Sequence, residues 1–168
     1  MASTGLVAHT ATRRLLAAPR TAYRVVVHDP LETMVVGGGG LAGVPGTEAL
    51  QGPAWGEDGA RRKVVMSAGA SAHEAIVQAA PDREAPLFRY QVWGLSGLPG
   101  LLIDHAQGRF VFDPGDGGTK LSWTYAFKPR AGLLKPLIAR FVRTRFAPFM
   151  EAALDAIEAR TDRVPNES

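Results

Sequence analysis

The feature that most constrains the fold is a series of six short apolar segments between residues 47 and 127. They read TEALQGPAW, ARRKVVMS, AHEAIVQA, LFRYQVWG, GRFVFD and TKLSWTYAF. The breaks between them, GEDG, SAGAS, PDREAP, LSGLPG and DPGDGG, are rich in Gly, Pro and Asp, and strands joined by such short breaks favour an antiparallel sheet. The last segment alternates, with Leu121, Trp123, Tyr125 and Phe127 on one face. This alternation predicts one buried and one solvated face.

A long helical pattern follows the strands, from about Leu133 to Arg160. Its apolar stripe consists of Leu134, Leu137, Ile138, Phe141, Val142, Phe149, Ala153, Leu154 and Ile157. Because Pro148 has no backbone donor, we expect a kink or a break near Ala147. Two short helices are expected earlier, in AAPRTAYRVVVHDP and PLETMVV, after a β-capable opening at residues 5–12. The order of elements predicts an α+β fold with an antiparallel sheet, a long C-terminal helix and two short helices after the first strand.

Length and composition restrict the class of protein. A chain of 168 residues with a net charge of +3 suits one domain, assigned here to residues 1–160, and the polar segment 161–168 is expected to be a disordered tail. The absence of cysteine excludes disulfides, thiolate nucleophiles and iron–sulfur clusters, and it suits a reducing compartment. No segment approaches the ~20 apolar residues of a membrane span, and the opening residues lack a signal-peptide pattern. A cytoplasmic location is therefore expected.

Several motifs suggest cofactor or metal chemistry but lack the required context. Gly38, Gly40 and Gly43 satisfy the dinucleotide-binding spacing, yet residues 44–46 (Val-Pro-Gly) break the chain where a helix should begin. We expect a flexible loop there, acting as a lid or hinge. Histidines stand singly at His9, His28, His73 and His105. The sequence therefore predicts no metal site and no cofactor, and its modest net charge argues against a nucleic-acid partner.

Four short motifs point to a known superfamily. They are G-A-x-R at Gly59 to Arg62, a glutamate after a small-residue turn at Glu74, Tyr90 in LFRYQV, and G-G-T-x-L-x-W at Gly117 to Trp123. With the order of elements, they resemble the START-like, polyketide cyclase and plant pollen allergen superfamily, often called SRPBCC. The resemblance covers nearly the whole chain. It implies a helix-grip fold, in which a curved antiparallel sheet wraps around the long C-terminal helix and encloses a lipophilic cavity.

The resemblance also implies a set of ligand-binding residues. The plant abscisic acid receptors are similar in having an arginine strand, a small-residue turn that acts as a gate, and then a glutamate. That likeness directs six residues of three strands inward: Arg62, Val64, Met66, Glu74, Tyr90 and Val92. Later strands and the final helix would add Phe110, Phe112, Trp123, Phe141 and Phe149. The turn SAGAS, residues 67–71, would occupy the gate position, but it lacks the receptors' Leu-Pro pair, which argues against a hormone-type gate.

The resemblance and the alternation pattern make opposite predictions for the direction of Glu74. The apolar residues of that segment, Ala75, Val77 and Ala79, predict that Glu74 points to solvent. The resemblance implies instead that Glu74 points inward. An unpaired buried charge costs several kcal/mol, so an inward Glu74 needs compensation from Arg62, water or a ligand. The two residues form either a cross-strand ion pair without a further role or the polar part of a small-molecule site.

Three functions fit these residues. The first is binding of a lipophilic, partly oxygenated small molecule, with Arg62 as anchor and Glu74 and Tyr90 as hydrogen-bonding groups. The second is a cyclase or aromatase, in which Glu74 or His105 is the general base and Arg62 stabilises an enolate. The third is a membrane-surface or protein-partner module using residues 130–145, which are basic without an acid and favour weak contact with an anionic membrane.

Overall fold

The computed structural model describes residues 5–166. The strands are β1 Val7–Leu15, β2 Gly37–Gly38, β3 Leu41–Ala42, β4 Gly46–Ala49, β5 Arg61–Val65, β6 Ser71–Ala80, β7 Leu87–Trp93, β8 Ile103–Gly115 and β9 Gly118–Pro129. The helices are α1 Pro19–His28, α2 Leu98–Leu102, α3 Lys135–Phe141 and α4 Ala147–Thr161. A π-helical turn, Val142–Phe146, joins α3 to α4, and residues 135–161 are called the terminal helix below. The second short helix of the prediction is only a 3₁₀ turn, Leu31–Thr33.

Seven strands form one antiparallel sheet in the order β1-β9-β8-β7-β6-β5-β4. Its inner face packs against the terminal helix, which confirms the predicted α+β helix-grip architecture. The alternation in β9 is also confirmed, because Leu121, Trp123 and Phe127 are buried on this face and Tyr125 is partly buried beside them. The helix contributes the other half of the core through Ile138, Val142, Phe146, Met150, Leu154 and Ile157.

A β-bulge in β6 decides the direction of Glu74. Before the bulge, Glu74 is buried together with Ala72 and Ile76, so it lies on the inner face. The register then shifts between Ile76 and Gln78, and the intervening Val77 remains 49% exposed. The alternation pattern was wrong for Glu74, because the bulge reverses which residues of β6 point inward. A single alternation therefore cannot describe the strand on both sides of the bulge.

The terminal helix changes its winding immediately before Pro148. The π-helical turn ends at Phe146, which confirms the interruption expected near Ala147. Within the turn, Thr144 Oγ1 donates a hydrogen bond to the carbonyl oxygen of Arg140 at 2.8 Å. A wider turn shifts the inward face, and Phe146 at its end is buried. Leu137, predicted as part of the apolar stripe, precedes the turn and is 53% exposed.

Arg13 of the edge strand β1 forms ion pairs with three acids of the terminal helix. Its guanidinium lies 3.0 Å from Glu151, 2.5 Å from Asp155 and 2.8 Å from Glu158. The helix dipole favours acids near the helix N-terminus, but these three acids lie in the second half of the helix. Their pairing with Arg13 explains their position, because it holds the last half of the helix against the sheet.

The glycine-rich segment is a β-hairpin and not a flexible loop. Strands β2 and β3 pair with each other, and the hairpin packs on the terminal helix. A Cβ atom on Gly39 would lie 2.1 Å from the carbonyl oxygen of Arg145, and one on Gly38 would lie 3.0 Å from Cβ of Ala152. The glycines therefore permit close contact between two backbones. No helix begins here, which agrees with the rejection of a dinucleotide site.

The C-terminal segment is ordered as far as it is described. Thr161 is buried, Val164 packs against the core, and Asn166 Oδ1 accepts a hydrogen bond from the backbone N–H of Ala18 at 2.9 Å. The prediction of a disordered tail is therefore wrong for residues 161–166, because these contacts tie the segment to the start of α1. Residues 167 and 168 lie outside the described residues.

Candidate functional site

Arg62 and Glu74 form an ion pair on the inner side of the sheet. The register of β5 and β6 places them directly opposite each other. Arg62 Nε donates a hydrogen bond to Glu74 Oε2 at 2.6 Å. The two side chains are only 12% and 8% exposed, so the pair is largely removed from water. The cross-strand pair considered from the sequence is thus present, and both partners point toward the interior.

Trp55 covers the other side of the arginine. The guanidinium carbon of Arg62 lies 3.6 Å from the ring centroid of Trp55, which is a cation–π contact. Trp55 Nε1 donates to the carbonyl oxygen of Val27 at 2.9 Å, so α1 holds the indole in place. Only residues 47–49 of the predicted strand TEALQGPAW are β-structure, and Trp55 lies in the irregular segment that follows. No sequence pattern identified Trp55 as part of the site.

Burial dominates the electrostatics of Glu74. Desolvation raises the pKa of its carboxyl group, and the charge and hydrogen bond of Arg62 lower it by less. The net shift is upward, because the loss of water outweighs the attraction to Arg62. Glu74 takes up its proton closer to neutral pH than an ordinary glutamate does. A carboxyl group of this kind can accept or donate a proton when Arg62 is engaged elsewhere.

Two tyrosines add neutral hydroxyl groups to the inner face. The ring of Tyr90 lies over Gly108 of the adjacent strand, where a Cβ atom would be 1.9 Å from Tyr90 Cζ. Trp123 Nε1 donates to the Tyr90 hydroxyl oxygen at 3.0 Å. Burial raises the pKa of Tyr90 and of Tyr125, and the negative charge of Glu74 raises both further. Both phenols therefore stay protonated at neutral pH and can serve as donors.

Aromatic rings of the sheet and of the terminal helix pack against each other in the space between them. The rings of Phe110 and Trp123 stack with centroids 4.9 Å apart, and Phe146 approaches Tyr125 at 4.8 Å and Phe127 at 4.9 Å. A depression of about 480 Å³ lies on the outer face, lined in part by Val77, Arg89, Gln91, Gln107, Arg109 and Thr124. A smaller one of about 130 Å³ lies beside the β8–β9 turn. Neither is the open cavity that the resemblance implies between sheet and helix.

Three connections meet at one end of the sheet, called the mouth end below. They are the β5–β6 turn at residues 66–70, the β7–β8 connection at 94–102 and the segment 130–134. Ser71 N–H donates to Ser96 Oγ at 2.8 Å, and Ser96 N–H donates to the Ser71 carbonyl at 2.9 Å. Arg130 N–H donates to the Leu102 carbonyl at 2.9 Å, and Arg130 Nε donates to the Gly100 carbonyl at 2.6 Å. The gate position of the resemblance is thus tied to the β7–β8 connection, which is in turn tied to the start of segment 130–134.

Partly buried apolar side chains lie around the mouth end. They are Met66, Leu95, Leu102, Leu134 and Phe141, which pack against the core but are not fully buried. Tyr125 is also only partly buried, although it lies in the middle of the inner face. The interior at the mouth end is therefore less tightly closed than the opposite end, where Phe112 is fully buried against Tyr23 of α1.

All of the residues predicted to bind a ligand lie on the inner face or pack against the core. Beside Arg62 and Glu74, these are Val64, Met66, Tyr90, Val92, Phe110, Phe112, Trp123, Phe141 and Phe149. His105, the alternative base, lies on the outer face, where its Nδ1 is 2.8 Å from Asp104 Oδ2. It is excluded as a partner of Arg62, because the flanking Ala106 occupies the inward position of β8.

Residues 10–162 match the family model described as polyketide cyclase / dehydrase and lipid transport, which is of the SRPBCC type. The chain belongs to this family. No curated protein sequence matches the chain significantly. Within residues 5–166, no group of three or more His, Asp and Glu side chains is arranged to hold a metal ion.

Solved structures with the same fold come from distant relatives. Ara h 8.0201 is 14% identical, with a TM-score of 0.70, covering 95% of this chain and 99% of its own. The major latex-like protein 151 of Panax ginseng is 13% identical, with a TM-score of 0.69 and coverages of 93% and 97%. TTHA0849 from Thermus thermophilus is 18% identical, with a TM-score of 0.63 and coverages of 92% and 96%. At these identities the likeness establishes the fold of the chain.

Proposed function

We propose that this protein binds a lipophilic small molecule with an anionic or oxygenated end, between the sheet and the terminal helix, with Arg62 as the anchor. The observation that carries the proposal is the inward, buried pair Arg62–Glu74. Replacing a buried ion pair by apolar residues is often neutral or even stabilises a protein by about 1–4 kcal/mol. Packing alone therefore gives no reason for a cation and a carboxylate at this place, whereas recognition of a polar group does.

The route and the contacts of such a ligand follow from the arrangement at the mouth end. Its apolar part would enter past the partly buried Met66 and Phe141 and lie against the ring of Tyr125. Its anionic end would take the place of Glu74 on the Arg62 guanidinium, and Tyr90 and Tyr125 offer hydroxyl donors. Because Phe146 of the terminal helix contacts the rings of Tyr125 and Phe127, side chains at the mouth end would move apart as the ligand enters. The description of the family, which names lipid transport and polyketide cyclisation, supports a lipophilic ligand.

A second candidate function is proton abstraction from a bound carbonyl compound, as in a cyclase. The observation that favours it is the raised pKa of Glu74 beside the Arg62 cation. Glu74 would take a proton from an acidic C–H, and Arg62 would hold the enolate oxygen that receives the electron pair. Deuterium exchange into a long-chain β-keto ester, followed by NMR, should then be faster with the wild-type protein than with Glu74→Gln. Equal rates would exclude Glu74 as the base.

Calorimetric titration with matched ten-carbon ligands tests the anchoring role of Arg62. Decanesulfonate should bind more tightly than decanol or decyltrimethylammonium, because only the sulfonate can pair with the guanidinium. Arg62→Met should weaken decanesulfonate binding at least tenfold, about 1.4 kcal/mol, and leave decanol binding nearly unchanged. Arg61→Met is the matched control, because Arg61 is the preceding residue of β5 and is exposed. Equal sulfonate affinities of the two variants, or no binding by the wild type, would contradict the proposal.

A further inference from the structure

Four leucines at the mouth end are exposed. Their exposed fractions are 67% for Leu98, 71% for Leu101, 83% for Leu133 and 53% for Leu137, and they are called the leucine rim. The other strongly exposed large apolar residues of the described chain are Leu16, Val36 and Val77. Contiguous apolar side chains that remain in water mark an interaction site more often than single ones do.

Backbone contacts bring the two halves of the leucine rim to the same end of the molecule. Leu98 and Leu101 belong to α2, and the hydrogen bonds of Arg130 to the Gly100 and Leu102 carbonyls join α2 to the start of the terminal helix. Leu133 follows three residues after Arg130 and lies in the 3₁₀ turn Gly132–Leu134. Leu137 is four residues further along, in the first turn of α3.

Basic residues lie beside the leucine rim and along the exposed side of the terminal helix. Between residues 128 and 145 the chain carries Lys128, Arg130, Lys135, Arg140, Arg143 and Arg145, and no acid. Lys135, Arg140 and Arg143 are exposed, and in the described part of the chain no acid lies within ion-pair distance of them. Cations in the first turns of a helix oppose its dipole. Intramolecular electrostatics therefore gives no reason for this arrangement.

We infer that the mouth end docks on the surface of an anionic lipid bilayer, with the leucine rim in the interfacial region and Lys135, Arg140 and Arg143 on the lipid phosphates. Apolar side chains flanked by unpaired cations are the combination that such a surface attracts. No helix among residues 5–166 is long and apolar enough to cross a membrane, so the contact is a peripheral one. A second copy of this chain does not suit the mouth end as a partner, because a symmetric contact would bring two basic surfaces together.

Docking in this orientation would place the mouth end against a source of lipophilic molecules. The membrane docking does not depend on the ligand proposed for the interior, because the leucine rim and the basic residues lie outside the space between the sheet and the terminal helix. The two proposals can therefore fail separately. Decanesulfonate binding without vesicle binding would remove only the docking, and the reverse result would remove only the interior site.

Vesicle flotation with two lipid compositions tests the inference. The protein should bind vesicles of phosphatidylcholine mixed with phosphatidylserine, bind pure phosphatidylcholine weakly, and dissociate as salt is raised. The paired change Leu101→Ser with Leu133→Ser should weaken binding to the anionic vesicles at least tenfold. The paired change Arg140→Gln with Arg143→Gln should do the same. All four residues are exposed, so circular dichroism should show these variants folded.

Matched controls separate a specific surface from general charge attraction. Leu16 is 77% exposed but lies beside the β8–β9 turn, at the opposite end of the β8–β9 hairpin, so Leu16→Ser should bind like the wild type. Arg89 and Arg109 are an exposed pair on the outer face, so changing both to Gln removes the same charge without affecting the contact. The inference is overturned if both arginine pairs weaken binding equally, or if the leucine variants bind like the wild type. It is also overturned if the leucine rim instead supports a dimer that Leu101→Ser dissociates.

Discussion

Arg62→Met is expected to lower the free energy of unfolding by about 3–5 kcal/mol, because it leaves the buried Glu74 without its cation. The variant also loses the contact of the guanidinium with Trp55. Urea denaturation at neutral pH, followed by circular dichroism, measures the difference. Arg61→Met on the same strand is the control, and as a change at an exposed position it should cost less than about 0.5 kcal/mol.

A second substitution shows whether the pair is needed for stability. Glu74→Leu added to Arg62→Met removes the unpaired carboxyl group and should restore the free energy of unfolding to within about 1 kcal/mol of the wild type. That result would mean that an apolar pair serves the fold equally well. A loss below about 1 kcal/mol for Arg62→Met alone would contradict the burial of the pair. A double variant as unstable as Arg62→Met would show that the polar groups themselves hold the core together.

Decanesulfonate is expected to bind more tightly as the pH falls. When the sulfonate occupies Arg62, Glu74 loses the interaction that opposes its desolvation, and its pKa rises above the already raised value of the free protein. Binding is therefore coupled to uptake of one proton. Between the pKa of Glu74 in the free protein and that in the complex, affinity should increase by up to about tenfold for each pH unit lowered. The sulfonate stays ionised throughout, so its own titration does not contribute.

Calorimetry in two buffers with different ionisation enthalpies measures this proton uptake directly. Glu74→Gln is the matched control, because the amide has similar size and cannot titrate. In that variant the affinity should be independent of pH over the same range, and at neutral pH it should exceed that of the wild type because nothing charged competes for Arg62. If the affinity of the wild type does not change with pH, the ligand does not displace Glu74 from Arg62.

Much of the fold could be predicted because one buried face imposes a simple period on the sequence. The alternation of β9 identified Leu121, Trp123 and Phe127 correctly, and turn residues separated the strands. The same reasoning failed at Glu74, since the bulge between Ile76 and Gln78 leaves no mark in the polarity pattern. There the superfamily resemblance was correct, because it carries information about a particular backbone and not about periodicity.

The candidate site was harder to predict than the fold. Trp55 lies in an irregular segment without a period, so nothing in its neighbourhood indicated a contact with Arg62. Phe146 was missing from the predicted helical stripe because the π-helical turn moves the inward face there. The packing of the rings between the sheet and the terminal helix is a property of side-chain conformations and cannot be read from residue types. Tyr125 was recognised as inward, but its partial exposure became visible only with the neighbouring elements in place.

The most direct test of ligand binding between the sheet and the terminal helix is the NMR spectrum of the protein with bound decanesulfonate. Binding at this place should give nuclear Overhauser effects from the alkyl chain to the ring protons of Tyr125 and Phe146, whose centroids lie 4.8 Å apart in the interior. Effects confined to Val77 and Ala126, which line the depression on the outer face, would contradict it and assign the ligand to the other side of the sheet.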